Sequence, residues 1–205
     1  MIMSQSNRGF FIVLEGIDGA GKTTLAKMLI DKFKSKGLDA IYTYEPTDSL
    51  IVKAVKGDYS PYRDAYIDAL AFALDRLIHV KKLILPMLGK GVTVISDRYF
   101  YSSIAYQSAM GAPYEWVAEV NKYALRPDLA IYLDIPPEVA IDRRKGLPSR
   151  FPEFEEREFL EKVRQYYKRM VSEGLLVEVD ATRKLQTVYS EVIEKIRSLL
   201  GSDII

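Results

Sequence analysis

Cysteine is missing from all 205 residues. That excludes thiol nucleophiles, disulfides and thiolate metal sites together, and it suits a reducing compartment such as the cytoplasm. Histidine occurs once, at His79, and asparagine only at Asn7 and Asn121. With a single imidazole, strong general-base chemistry has few candidates. Scarce asparagine beside plentiful Lys, Glu and Tyr leans the composition towards a heat-adapted source. No run of about 18 apolar residues occurs, so no segment reads as a membrane span. The N-terminal MIMSQSNRGF lacks the basic start and apolar core of a secretory signal. The formal net charge is only +1, so the overall balance gives no sign of a nucleic-acid partner. What remains is 48% hydrophobic and 28% charged, an ordinary soluble composition for which one domain spanning 1–205 is the default.

Short β-branched or apolar runs alternate with helical patterns. FFIVLE (10–15), AIYTY (40–44), VTVISD (92–97), LAIYLD (129–134) and LLVEVD (175–180) read as five strands. Helical periodicity covers 23–36, 102–110, 114–124, 137–145, 156–173 and 185–200. Ser60-Pro61 is expected to open a further long helix that Pro86 and Gly89-Lys90-Gly91 bring to a stop. Strands separated by helices imply right-handed crossovers and an α/β fold with a parallel five-stranded sheet. Ligands in such sheets lie beyond the carboxyl ends of the strands. Glu15, Glu45, Asp97, Asp134 and Asp180 stand at those ends. The irregular RRKGLPSRFPEFEE (143–156) reads either as a surface loop or as a short lid.

Gly16-Ile17-Asp18-Gly19-Ala20-Gly21-Lys22-Thr23 matches G-x-x-x-x-G-K-[ST] between a strand and a helix. Its glycines let backbone N–H groups converge on phosphate oxygens at a helix N-terminus. Lys22 is expected to reach the outer phosphates of a nucleoside triphosphate, with Thr23 helping to hold Mg²⁺ and Thr24 following on the helix. The cradle alone leaves a switch GTPase, an ATPase module and a small-molecule kinase in competition. The nearest approach to a guanine-reading Asn-Lys-x-Asp is Asn121-Lys122-Tyr123-Ala124, which lacks the acid. Strand VTVIS is followed by Asp97-Arg98-Tyr99 rather than two acids. An acid for a metal beside an arginine for a second anion favours the kinase.

One residue of the cradle is unexpected. Asp18 is a carboxylate inside a loop built for polyanions. Read alone, it is either a helix N-terminal acid stabilised by the dipole or a group that faces a second substrate. Phe72 and Arg76, four apart on one helix face, are likewise either a core residue with a charged neighbour or a base platform with its reader.

LEGIDGAGKTT (14–24), EPTD (45–48), LAFALDR (70–76), DRYFYSSIAYQ (97–107) and RPDLAIYLDIPPEVA (126–140) occur in this order. Together they resemble the thymidylate kinase family over nearly the whole chain. The resemblance implies dTMP as phosphoryl acceptor, ATP as donor, Mg²⁺, and a homodimer paired through helices. It implies that Asp18 faces the acceptor near an arginine, and that Arg98 holds the acceptor phosphate. Thymine then stacks on Phe72 and is read by Arg76, with Glu45, Ser102, Tyr106 and Gln107 around base and sugar. Asp97 joins Thr23 at the metal. Where the cradle has Gly19, some relatives carry an arginine, and members without it use a basic lid. Arg150 is therefore expected to act with Lys22 and Arg98 in transfer, with Arg144 one turn back as the alternative. Arg143 is expected beside adenine, near Ala181 and Thr182. His79 reads as a helix-surface residue with no role.

Overall fold

The computed structural model describes residues 8–146 and 156–201. β1 (Phe11–Glu15) lies at the centre of a five-stranded parallel sheet with β2 (Ala40–Tyr44), β3 (Thr93–Asp97), β4 (Leu129–Asp134) and β5 (Val177–Asp180), in the order β2-β3-β1-β4-β5. Every residue of β1, β3 and β4 is buried. Hydrophobic runs of this kind form strands covered on both faces, because crossover helices shield each side. All five expected strands are present, with ends within two residues of the sequence reading.

α1 (Lys22–Ser35) and α9 (Leu185–Leu200) pack on one another and on the sheet. Another group joins α3 (Ala65–His79), α5 (Phe100–Ala109) and α8 (Arg157–Ser172) side by side, with α6 (Tyr114–Val120) against α3 and α5. α8 also meets β4, and α7 (Pro137–Arg144) meets α8. The chain leaves central β1 towards β2 on one side, and its later strands β4 and β5 lie on the other. The crevice beyond the carboxyl ends of β1 and β3 is the switch point at which such sheets bind ligands.

Two local expectations are corrected, and one helix is present that the sequence reading lacks. The long helix does not open at Ser60-Pro61, which form only a 3₁₀ turn. It starts after Asp64, whose carboxylate accepts the backbone N–H groups of Tyr66 and Ile67 at 2.9 and 2.7 Å, an N-cap. Nor does Pro86 stop it; the helical stretch ends at the expected Gly89-Lys90-Gly91 turn. A π turn at Val80–Ile84 leads straight into α4 (Leu85–Gly89), with Pro86 in its first turn, where a missing N–H costs little. The short α2 (Leu50–Lys56), absent from the sequence reading, follows Ser49, whose hydroxyl accepts the Val52 N–H at 3.3 Å.

Candidate active site

The cradle joins β1 to α1. Gly16, Gly19 and Gly21 have φ of 139°, 93° and 93°, a region that side chains disfavour. Two of these glycines are also required by packing. A Cβ at Gly16 would lie 2.7 Å from the Leu133 carbonyl oxygen, and one at Gly19 would lie 2.6 Å from that of Ala140 in α7. An arginine at position 19 has no room while α7 lies there. Ile17 and Ala20 are buried beneath the loop, and Thr24 points outward. Lys22 Nζ donates to the carbonyls of Gly16 and Ile17 at 2.9 and 3.0 Å. Burial pushes its pKa down, and the Arg98 charge adds to the effect.

Thr23 Oγ1 lies 2.5 Å from Asp97 Oδ2, which brings a hydroxyl from α1 against the acid that ends β3. Both are oxygen donors beside the phosphate cradle. Among the described residues no cluster of three metal-binding side chains exists. A hard divalent ion that keeps several waters and takes its other ligands from phosphate fits such a sparse pair.

Asp18 turns away from the loop's N–H groups. Its Oδ1 accepts from Arg98 at 2.6 Å and its Oδ2 from Arg144 at 3.0 Å, with Lys22 Nζ at 3.6 Å. Burial opposes ionisation of Asp18, but the charges of Arg98 and Lys22 outweigh it and hold the carboxyl well below its usual range. Three cations thus meet on one carboxylate.

Arg98 is, among the described residues, the one non-glycine with positive φ, at 71°. A non-glycine backbone here stores strain that its surroundings must hold. The hold comes from buried Glu15. Its carboxylate accepts the Tyr99 and Ser102 backbone N–H groups at 2.8 and 3.3 Å, capping α5, and the hydroxyls of Ser102 and Tyr167 at 2.6 and 2.8 Å. Ser102 Oγ in turn accepts from Arg98 at 2.9 Å. Tyr106 accepts from Arg98 at 3.1 Å and lays its ring beside the guanidinium, 5.0 Å from the centroid. Burial pushes the Tyr106 phenol up to about 12, so it remains a neutral donor as well as an acceptor at neutral pH.

Beside these groups lies a cavity of about 330 Å³. Asp18, Glu45, Phe72, Arg76, Arg98, Ser102, Tyr106 and Gln107, the eight residues expected on the acceptor side, all line it. Phe72 supplies an apolar wall. Arg76 is fixed by Glu45 Oε2 at 2.6 Å, Ser103 Oγ at 3.1 Å and Asn121 Oδ1. Gln107 brings a buried Oε1 with no partner among the described residues.

Ser103, Ile141 and Leu160 line the cavity too and were not singled out for it in the sequence. For Ser103 a signal existed, since it lies in the same DRYFYSSIAYQ run. Arg143 donates to the Thr182 carbonyl at 3.4 Å, and Ala181 adjoins through its N–H to Asp134 O at 2.9 Å. The three residues expected near adenine are therefore together. Arg150 lies outside the described residues; Arg144, its alternative, is the lid-side arginine found at the cavity. His79 contradicts its surface reading. It is buried, with Nδ1 2.9 Å from Glu45 Oε1 and Nε2 2.8 Å from Thr43 Oγ1.

The thymidylate kinase family model matches residues 14–192. A probable thymidylate kinase of Staphylothermus marinus is 57% identical over 95% of this chain and 96% of its own length. One of Pyrococcus horikoshii is 42% identical over 95% and 99%, and a thymidylate kinase of Xylella fastidiosa is 39% identical over 95% and 91%. With nearly the full length matched and the motif residues gathered around one cradle and one cavity, the chain belongs to the thymidylate kinase family.

Proposed function

We propose that the protein transfers the γ-phosphoryl group of ATP to dTMP, giving ADP and dTDP. The observation that carries this reading is the convergence of eight acceptor-side residues on one cavity bordered by Asp18, Arg98 and Arg144. The apolar wall of Phe72 suits a base, and Arg76 and Gln107 offer polar groups to its edge. The cations at the other side suit a phosphate dianion. An acceptor phosphate oxygen attacks the γ-phosphorus, a new P–O bond forms, and the bond to the bridging oxygen of ADP breaks. The attacking oxygen is already anionic at neutral pH, so a chain with one buried histidine has no need of a general base. Catalysis is positioning and charge stabilisation. Lys22 addresses the donor phosphates, Arg98 the acceptor phosphate, and Arg144 reaches from α7 to the space between them. Thr23 and Asp97 would hold Mg²⁺, which when bound neutralises charge on the donor phosphates.

This reading takes 1–205 as one domain with a lid about 143–156, working in the cytoplasm without nucleic acid. Among the described residues no helix is long and apolar enough to cross a membrane. The same reading pairs two copies as a homodimer. Tyr66, Leu70 and Leu74 recur every four residues on α3 and are about half exposed, an apolar stripe that a symmetric partner would cover. Chromatographic analysis of a reaction with ATP and dTMP tests the activity. dTDP should appear one for one with ADP. ADP release without dTDP would mark an ATPase instead.

A further inference from the structure

The only histidine of the chain lies directly behind the cavity rather than in it. His79 and Arg76 are three apart on α3, and both end on the same carboxylate. His79 Nδ1 is 2.9 Å from Glu45 Oε1, while Arg76 Nε is 2.6 Å from Glu45 Oε2. A carboxylate only accepts, so Nδ1 carries a proton, and Nε2 lies 2.8 Å from the Thr43 hydroxyl on the other side of the ring. All three ionisable groups are buried, at 7% exposure for His79, 3% for Glu45 and 2% for Arg76. Glu45 lies one residue beyond β2, and its own backbone is tied to β3 by Glu45 N to Asp97 O at 3.0 Å. Its side chain is held from α3 on both oxygens, by Arg76 on Oε2 and by His79 on Oε1.

We propose that His79 is a positioning residue for acceptor-base binding, holding Glu45 so that Arg76 presents its guanidinium at a fixed angle to the cavity. The proposal rests on the reading that Arg76 addresses the base of the acceptor. Three of the five N–H groups of Arg76 are engaged by Glu45, Ser103 and Asn121. Ser103 is anchored on α5, and Asn121 is itself braced by its Nδ2 to the Val117 carbonyl at 2.9 Å. The Glu45 contact is the charged one, and it depends on a partner, His79, that lies outside the cavity lining. Losing the imidazole N–H leaves one oxygen of a buried carboxylate unsatisfied, and the group recovers by turning, which takes Arg76 with it. Arg98, Lys22 and Arg144 are gathered on Asp18 at the phosphate side, so the damage should fall on the binding of the acceptor base.

Steady-state kinetics of His79→Leu and His79→Asn test the proposal. Asparagine retains a donor near the Nδ1 position, whereas leucine keeps bulk alone. We expect His79→Leu to raise KM for dTMP about tenfold, the scale of one buried hydrogen bond to a charged group. Its kcat should remain within about twofold, KM for ATP should be unchanged, and His79→Asn should restore most of the loss. With one histidine in the chain, imidazole ¹⁵N resonances of the untagged wild-type protein report His79 alone. They should move on adding dTMP and stay in place on adding ADP. This second readout holds even where the leucine variant fails to fold. Unchanged KM for dTMP, equal losses for both substrates, or imidazole signals indifferent to dTMP in a protein that phosphorylates it would each overturn the role. A wild-type protein that neither binds nor phosphorylates dTMP would overturn the acceptor assignment as well.

Discussion

Asp18 is where the two halves of the site meet. A carboxylate in a phosphate cradle weakens anion binding unless it is neutralised, and here Arg98, Arg144 and Lys22 all address it. It brings three cations from the cradle, the end of β3 and α7 to one point. Arg144 is the informative member, because it comes from α7 and not from the cradle or β3. Its removal is expected to lower kcat/KM for dTMP by at least about a hundredfold, as for other cations that stabilise a transferring phosphoryl group. The loss should fall mainly in kcat. Full activity in Arg144→Ala, with a collapse in Arg150→Ala, would return the role to the residue first favoured by the sequence. Asp18 and Arg98 were both legible in the sequence because they sit inside short ordered motifs. His79 was not read correctly, although the signal was there. Positions 72, 76 and 79 follow the i, i+4, i+7 spacing of one helix face, so a cavity-facing Phe72 and Arg76 imply a buried His79. Treating a lone histidine as a surface residue ignored that periodicity.

At the scale of elements, two contacts decide where the cations can stand. The first is the approach of α7 to the cradle. A Cβ at Gly19 would lie 2.6 Å from the Ala140 oxygen at a φ of 93°. Gly19→Ala should therefore cost roughly 1–3 kcal/mol in strain and displace the helix that carries Arg143 and Arg144. Denaturation and kinetics on one sample should show stability and kcat falling together; a fall in neither would mean that α7 is not held there. The second contact pins α8 to the sheet. Asp134 accepts from Arg164 Nε and Nη2 at 2.8 and 2.9 Å and from the Tyr132 hydroxyl at 2.7 Å, with Lys168 Nζ at 2.9 Å. Burial opposes its ionisation, yet Arg164 and Lys168 hold its pKa down to about 2 against the usual 3.8. A depressed acid stabilises the fold above its unfolded pKa and loses that contribution as pH falls through the folded one. The pair is worth on the order of 2 kcal/mol at neutral pH. In urea unfolding, the stability gap between wild type and Asp134→Asn should be full at pH 5 and close between about pH 4 and 2. A gap independent of pH would contradict the assignment.

The strands were legible because each is a short, mostly apolar or β-branched run with an acid at its end, the pattern of a parallel sheet covered on both faces. Boundaries of the long helix were less so. Ser60-Pro61 and Pro86 carry the local signals of a start and a stop, but Asp64 makes the stronger cap, and the π turn at Val80–Ile84 carries the helix into a first turn that tolerates Pro86. α2 escaped because seven residues of LIVKAVK are too short to establish a period.

For the molecule as a whole, sheet, cradle and cavity form one arrangement. β1 and β3 deliver Asp18 and Arg98 to the switch point, while α3 and α5 wall the space beside them. If the α3 stripe pairs two copies, sedimentation at micromolar concentration should give twice the chain mass of 23.4 kDa, and a monomer would refute the pairing. With asparagine at only two positions, we expect a Tm above the roughly 45–65 °C of mesophilic domains; a Tm within that range would refute heat adaptation. The central claim is narrower than either: this cavity selects the acceptor. It is tested most directly by following ADP release with ATP and each nucleoside monophosphate in turn. dTMP should be phosphorylated best, with dUMP behind it by the roughly 10–200-fold that one missing methyl group is worth at most, and AMP and GMP should be nearly inert. Preferred phosphorylation of AMP, GMP or CMP would contradict the account.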